Sequence, residues 1–352
     1  MSATMLAARL AEGAEEFSLD EIPVPTIGSR DVLVEVHACA ICGSDLHIME
    51  GITPTPYRPI TLGHEPAGVV REVGAEVDGI IEGDHVFINP ILVCGVCDYC
   101  RRGRTHICAK RQVLGIHREG ALAQYVSVPA TNIVTLPIDL PFDEAAMIES
   151  ASTPYHALTE RAPVRGGDAV AVIGVGGLGV HGVQIARLLG ASTIVAVDVA
   201  DVPLERARRL GATHVVNARD TDPVLAVKAV TGEGVDVALE CVGRADSCRW
   251  AAEVLRPGGV AALAGIGGED LTLPPTTVTA RTEIDVRGVY AYAPYEIERV
   301  GRLIASGQLD ARAAISETYG LEQVNDGLRN FREKSTFPVR VVINPQRAGA
   351  AG

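Results

Sequence analysis

Apolar and polar residues follow two different rhythms along this chain, and the change falls near residue 160. Upstream, short runs rich in Val and Ile, at 32–36, 67–70 and 85–88, alternate with Gly and Pro. Such runs predict the short strands of an irregular, mostly β domain. Downstream, apolar runs of strand length alternate with helical periods. Strands are predicted at 169–173, 193–197, 214–216, 235–239 and 260–263, and helices at 178–189 and 204–210. Alternation of this kind predicts an α/β domain of right-handed βαβ units around a doubly wound parallel sheet. The rhythm fades after about 292, so the expected organisation is 1–158 with 293–352 in one domain and 159–292 in the other.

A length of 352 residues agrees with two domains. Apolar residues reach 47% and aromatics only 4%, so the cores must be built from Val, Ile, Leu and Ala. That is the composition of parallel sheets covered on both faces. The formal net charge of −13 argues against nucleic acid or an anionic membrane as the main partner. Arg9, Glu12, Glu15 and Glu16 interrupt the apolar residues near the N-terminus, and no run approaches the roughly 18 residues of a membrane helix. A cytoplasmic address is the expectation.

Gly174-Val-Gly-Gly-Leu-Gly179 fits G-x-G-x-x-G through Gly174, Gly176 and Gly179, after a predicted strand and before a helix that opens at Gly177 or Leu178. Without Cβ atoms, such a turn lets the backbone approach a pyrophosphate at the helix N-terminus. An acid is then expected at the end of the second strand to bond the adenosine ribose, and Asp198 stands there. Its charge disfavours a 2′-phosphate, and Val199 rather than Arg follows it, so NAD is the expected cofactor.

Cys94, Cys97, Cys100 and Cys108 follow C-x2-C-x2-C-x7-C. Four thiolates on so short a loop can close around one tetrahedral Zn²⁺ with no open position, the mark of a structural site. The lobe, 90–112, carries too few apolar residues to order itself, and metal would supply that order.

Cys42-Gly-Ser-Asp-Leu-His47, Gly63-His-Glu65, the four-cysteine lobe and the glycine fingerprint occur in that order. In this the chain resembles the zinc-containing medium-chain dehydrogenase/reductase family, from about residue 32 to about 343. The resemblance implies a GroES-like catalytic domain joined to a Rossmann domain, and a homodimer or homotetramer. It further implies two zinc ions per subunit and oxidation of an alcohol by hydride transfer to NAD. Cys42 and His64 would be ligands of the catalytic zinc, with Glu149 as the third and Glu65 an occasional ligand or a neighbour behind it. Ser44 would bond the substrate oxygen and His47 would pass on its proton, a task suited to imidazole. Asp45 could hold a ligand imidazole in its tautomer. Cys39, though spaced C-x-x-C with Cys42, follows a β-domain strand and reads as a packed residue.

Substrate class is less sharply marked. Polyol-acting relatives often carry Arg in the strand that follows the dinucleotide domain. The run 288–292 places Ala291 there, beside Tyr290, Tyr292 and Tyr295, which favours a secondary alcohol or ketone. The segment 115–126 resembles polyol and sugar-acid branches instead. The other classes considered are a zinc-free, NADPH-dependent enoyl or quinone reductase and a non-enzymatic nucleotide-binding protein. Relatives of the first kind usually lack Cys42, His64 and the lobe, while the second would be expected to lose Ser44 and His47.

Overall fold

A computed structural model describes residues 3–333 and 339–347. The chain divides into two compact units, one of residues 1–149, 293–307 and 311–352, the other of 150–292 and 308–310. The boundary lies inside the helix Phe142–His156, where no break in composition marks it.

The first unit is built on the strand Asp31–Ile41, whose burial pattern is almost continuous. Its neighbours are Pro66–Val73 on one side and, on the other, Tyr125–Pro129 along its first half and Arg340–Asn344 along its second. The sheet runs Ile133–Thr135, His85–Ile88, Pro66–Val73, Asp31–Ile41, Arg340–Asn344, Ile315–Gly320. Every pair is antiparallel except the last. Register shifts at Leu33/Val34 and Val36/Ala38 let one long strand serve these partners. The predicted run at 32–36 is therefore only the first part of it. Half-buried His37, stacked 4.7 Å from Phe142, interrupts the apolar text without ending the strand. Val32, Val34, Val36, Val70, Val86, Ile88, Val341 and Ile343 form the core beneath.

The second unit contains a six-stranded, all-parallel sheet. Its order is His214–Asn217, Thr193–Asp198, Ala169–Ile173, Val235–Glu240, Leu255–Leu263, Asp285–Gly288, with the direction of winding reversing between the third and fourth. Ligands of such sheets bind outside the strand C-termini at that reversal. The helices Gly179–Leu188 and Asp201–Leu210 lie where their periods predict them. The run 288–292 does not: the strand ends at Gly288, and Ala291 adopts a left-handed φ of 51°. Tyr292 is packed inside rather than displayed.

The third glycine of the fingerprint shows why the helix can start so close to its strand. A Cβ on Gly179 would stand 1.9 Å from the carbonyl oxygen of Gly174, whereas one on Gly176 would meet nothing within 4 Å. The Gly179 clash is with main chain, so no rotamer relieves it. Gly179→Ala is expected to destabilise by about 1–3 kcal/mol, while Gly176→Ala leaves the melting temperature as it is. Equal melting curves for the two variants would contradict this packing.

Candidate functional site

The strand Asp31–Ile41 ends one residue before Cys42, which caps the helix Gly43–Met49. The Cys42 N–H donates to Asp45 Oδ2 at 2.8 Å, a local contact that turns the chain from strand to helix. His64 and Glu65 sit between the strands Ile60–Thr61 and Pro66–Val73. Sγ of Cys42, a ring nitrogen of His64 and a carboxylate oxygen of Glu65 all lie within 4.8 Å of one another.

Charge explains how the cluster is held. Glu65, with a fully buried side chain, takes the Arg340 Nε–H between its two oxygens at 3.2 and 3.0 Å. Arg340 is itself only 4% exposed and points Nη2 at Cys42 Sγ, 3.6 Å away. Burial works against the guanidinium charge, but Glu65, Cys42 and Glu149 outweigh it and raise the Arg340 pKa. His64 bonds Ser44 Oγ through Nε2 at 3.1 Å, while its Nδ1 lies 3.6 Å from Asp45 Oδ1. Among the described residues neither of those last two atoms finds a hydrogen-bond partner. Desolvation disfavours the imidazolium, yet Asp45 and Cys42 overcome it and hold the His64 pKa well above its ordinary value. Acidic side chains thus gather around one ring, which a proton or a metal ion would occupy in competition. A thiol, an imidazole and a carboxylate are a donor set that fits Zn²⁺ with a position left open.

Of the residues expected here, Cys42, His64 and Ser44 come together. The acid that joins them is Glu65; Glu149, half-buried on the helix Phe142–His156, falls outside the 4.8 Å group and makes itself felt through Arg340. His47 shares the helix of Ser44 three residues on, on the same face. Arg340 was not foreseen. Its one sequence signal is a cation opening an otherwise apolar run, Arg340-Val-Val-Ile343.

The lobe meets a stricter geometric test. Cys97 lies 3.5 Å from Cys100 and 3.8 Å from Cys108, and Cys108 lies 3.5 Å from Cys94, sulfur to sulfur. These distances are far too long for disulfides and match the edge of about 3.8 Å of a tetrahedron with Zn–S bonds of ~2.3 Å. Main-chain N–H groups of Cys94 and Lys110 donate to Cys108 Sγ. Those of Cys100 and Ala109 lower the Cys97 thiol pKa to about 6. Val96 and Tyr99 are exposed, and the apolar cluster around the strand Asp31–Ile41 takes in Leu92 and Leu114 but none of residues 93–112.

In the second unit Gly174 takes φ 84°, opening the turn. Asp198 Oδ2 accepts from Val175 N–H within that turn at 2.8 Å, and Oδ1 accepts from Val199 and Ala200. The acid expected to bind ribose thus also pins the turn. Three of the roughly four lone-pair sites of a carboxylate are used, leaving room for one donor.

Comparison with known proteins agrees with both halves. Residues 28–138 match the alcohol dehydrogenase GroES-like domain, and 177–306 match the zinc-binding dehydrogenase domain. The chain is 33% identical to a sorbitol dehydrogenase of Bacillus subtilis (strain 168) over 348 residues, 97% of each protein. It is 37% identical to an L-threonine 3-dehydrogenase of Symbiobacterium thermophilum over 278 residues, 78% of each. A zinc-binding dehydrogenase of Sinorhizobium meliloti 1021, solved with NADP bound, superposes with a TM-score of 0.92 at 31% identity, covering 98% of this chain and 100% of that one.

Arg340→Met should leave Glu65 buried without its counter-ion. Loss of one partner of a buried pair costs about 3–5 kcal/mol, readable as a fall in the melting temperature of the first unit. A variant as stable as the wild type would show that Glu65 does not depend on that guanidinium.

Proposed function

We propose, from the premise that the chain belongs to the zinc-containing medium-chain dehydrogenase/reductase family and is an oxidoreductase acting on CH–OH groups, that it interconverts a secondary alcohol and a ketone using NAD. The observation that carries this reading is the cluster of Cys42, His64 and Glu65 within 4.8 Å. Zn²⁺ bound there would acidify an alcohol, and NAD would accept its hydride. Cys42 and Glu65 supply the negative charge that retains such a cation, and His64 supplies a neutral donor. Arg340 holds Glu65 at the cluster, with Glu149, coupled to the same guanidinium, as the second acid available to the metal. Ser44 Oγ, 3.1 Å from His64 Nε2 and so beside the place a metal on that ring would take, is the group to take the substrate hydroxyl proton. His47, one turn further along the same helix face, passes it on. The four thiolates of the lobe would hold a second, structural zinc. NAD is favoured over NADP by Asp198, although Arg206 is electrostatically coupled to it, and a relative solved with NADP keeps the question experimental. A soluble dimer or tetramer in the cytoplasm fits the family resemblance; among the described residues no helix is long and apolar enough to cross a membrane.

The secondary alcohol is preferred because the 3-hydroxyl of threonine, named in several relatives, is secondary. A polyol is the second reading, favoured by the likeness to sorbitol dehydrogenase over nearly the whole chain.

Cys42→Ala is expected to abolish turnover and reduce the metal content from two zinc ions per subunit to one while NADH still binds. Normal turnover, or an unchanged metal count, would remove its role, and wild-type protein free of zinc would revive a zinc-free reductase. Initial rates with NAD on 2-butanol, cyclohexanol, sorbitol, a hexonate and L-threonine separate the substrate readings, and a polyol far ahead of the rest refutes the first. Asp198→Asn should shift the NAD/NADP ratio of kcat/KM toward NADP by about tenfold, of the order expected for one charge-assisted contact. A ratio that does not move counts against the ribose contact.

A further inference from the structure

Glu240 ends the central strand Val235–Glu240, directly opposite Ile173, the residue before the glycine turn. It is fully buried, and among the described residues no ion pair includes it. A lone carboxylate inside an α/β core is costly, and an apolar residue of similar volume would usually serve stability better. Its bonds show what it does instead. Oε1 alone accepts from Val242 N–H at 2.7 Å, Gly243 N–H at 2.8 Å and Ser247 Oγ–H at 2.7 Å, while Oε2 is buried with no hydrogen-bond partner among the described residues. One oxygen thus gathers the chain just past the strand and the first turn of the helix Ala245–Glu253.

The gathered segment touches the glycine turn. A Cβ on Gly174 would stand 2.4 Å from Cγ2 of Val242, with the main chain of Cys241 and Val242 3.6 Å away. Cys241 N–H donates to Ile173 O at 2.9 Å, tying the two strand ends together. On its other side the segment has no slack, because a Cβ on Gly265 would stand 2.1 Å from Gly243 N and one on Gly243 2.5 Å from the Ile266 backbone. Val242 remains 42% exposed at the sheet edge where dinucleotides bind.

We propose that Glu240 is a positioning residue of the dinucleotide site, fixing residues 241–243 as the wall against which the turn at Gly174 is set. This rests on the reading of that turn as a dinucleotide site. The turn is then held by two acids, Asp198 through the Val175 N–H and Glu240 through Val242. Neither needs to touch the nicotinamide. A shift of the wall displaces the turn, and with it the N–H groups that would face the pyrophosphate.

The test is titration of zinc-loaded protein with NADH, followed by nucleotide fluorescence, alongside kcat and KM for NAD. Glu240→Leu, which keeps the volume and removes the acceptor, is expected to raise the Kd for NADH and the KM for NAD about tenfold, with kcat within about twofold. Glu240→Gln, which keeps an acceptor at Oε1, should restore both to within about threefold. A Glu240→Leu protein that melts earlier yet binds NADH like the wild type would make the carboxylate structural only and overturn the proposal. So would Glu240→Gln as impaired as Glu240→Leu. If Glu240→Leu does not fold, Ser247→Ala, which removes one of three donors, takes its place; an unchanged Kd overturns the proposal and a Kd raised about threefold supports it. Wild-type protein that fails to bind NADH would refute the dinucleotide reading itself, and this proposal with it.

Discussion

The first unit depends on a buried ion pair, Glu65 with Arg340, set against a thiol. Cys42, Asp45 and Glu65 bring acidic groups into one small desolvated space, with Glu149 electrostatically coupled to it, and among the described residues Arg340 is the guanidinium that answers them there. Such a pair is poor evidence of stability, since its attraction must first offset the loss of water around both charges. Its importance lies in geometry. The guanidinium holds the carboxylate beside His64, where an unanchored acid on an irregular segment would turn toward solvent. The strand Asp31–Ile41, the segment 62–65 and the strand Arg340–Asn344 can be understood as three carriers bringing Cys42, His64 with Glu65, and Arg340 to one place.

The two units solve opposite electrostatic problems. The first collects a thiol, a carboxylate and an imidazole in the cluster and four thiols in the lobe, ligand types that suit a cation. The second offers main-chain N–H groups and missing Cβ atoms, which suit an anion. Acids in this second unit therefore act at one remove: Asp198 and Glu240 direct lone pairs to the protein's own backbone, shaping the turn rather than opposing what it would hold.

What could be read from the sequence was local. The glycine fingerprint, the cysteine spacing and the strand–helix alternation each lie within a short stretch, and the steric facts at Gly174 and Gly179 accord with them. The extension of the central strand to Ile41 was hidden by His37, whose ring packs on Phe142 from a distant segment. The run 288–292 resembled a strand because Val and Tyr favour one, but Ala291 turns left-handed and Tyr292 goes to the core. That Glu65 lies within 4.8 Å of Cys42 and His64 could not be read without Arg340, whose partner lies 275 residues away. No periodicity reports a contact of that span.

That span also orders events in time. During synthesis Cys42, His64 and Glu65 leave the ribosome long before residue 340, so for most of translation the carboxylate lacks its Arg340 partner. The central strand meanwhile presents the open edge that Arg340–Asn344 will later cover. The cluster of Cys42, His64 and Glu65 is thus among the last parts of the molecule to gain its counter-ion, although its own residues are among the first to be made.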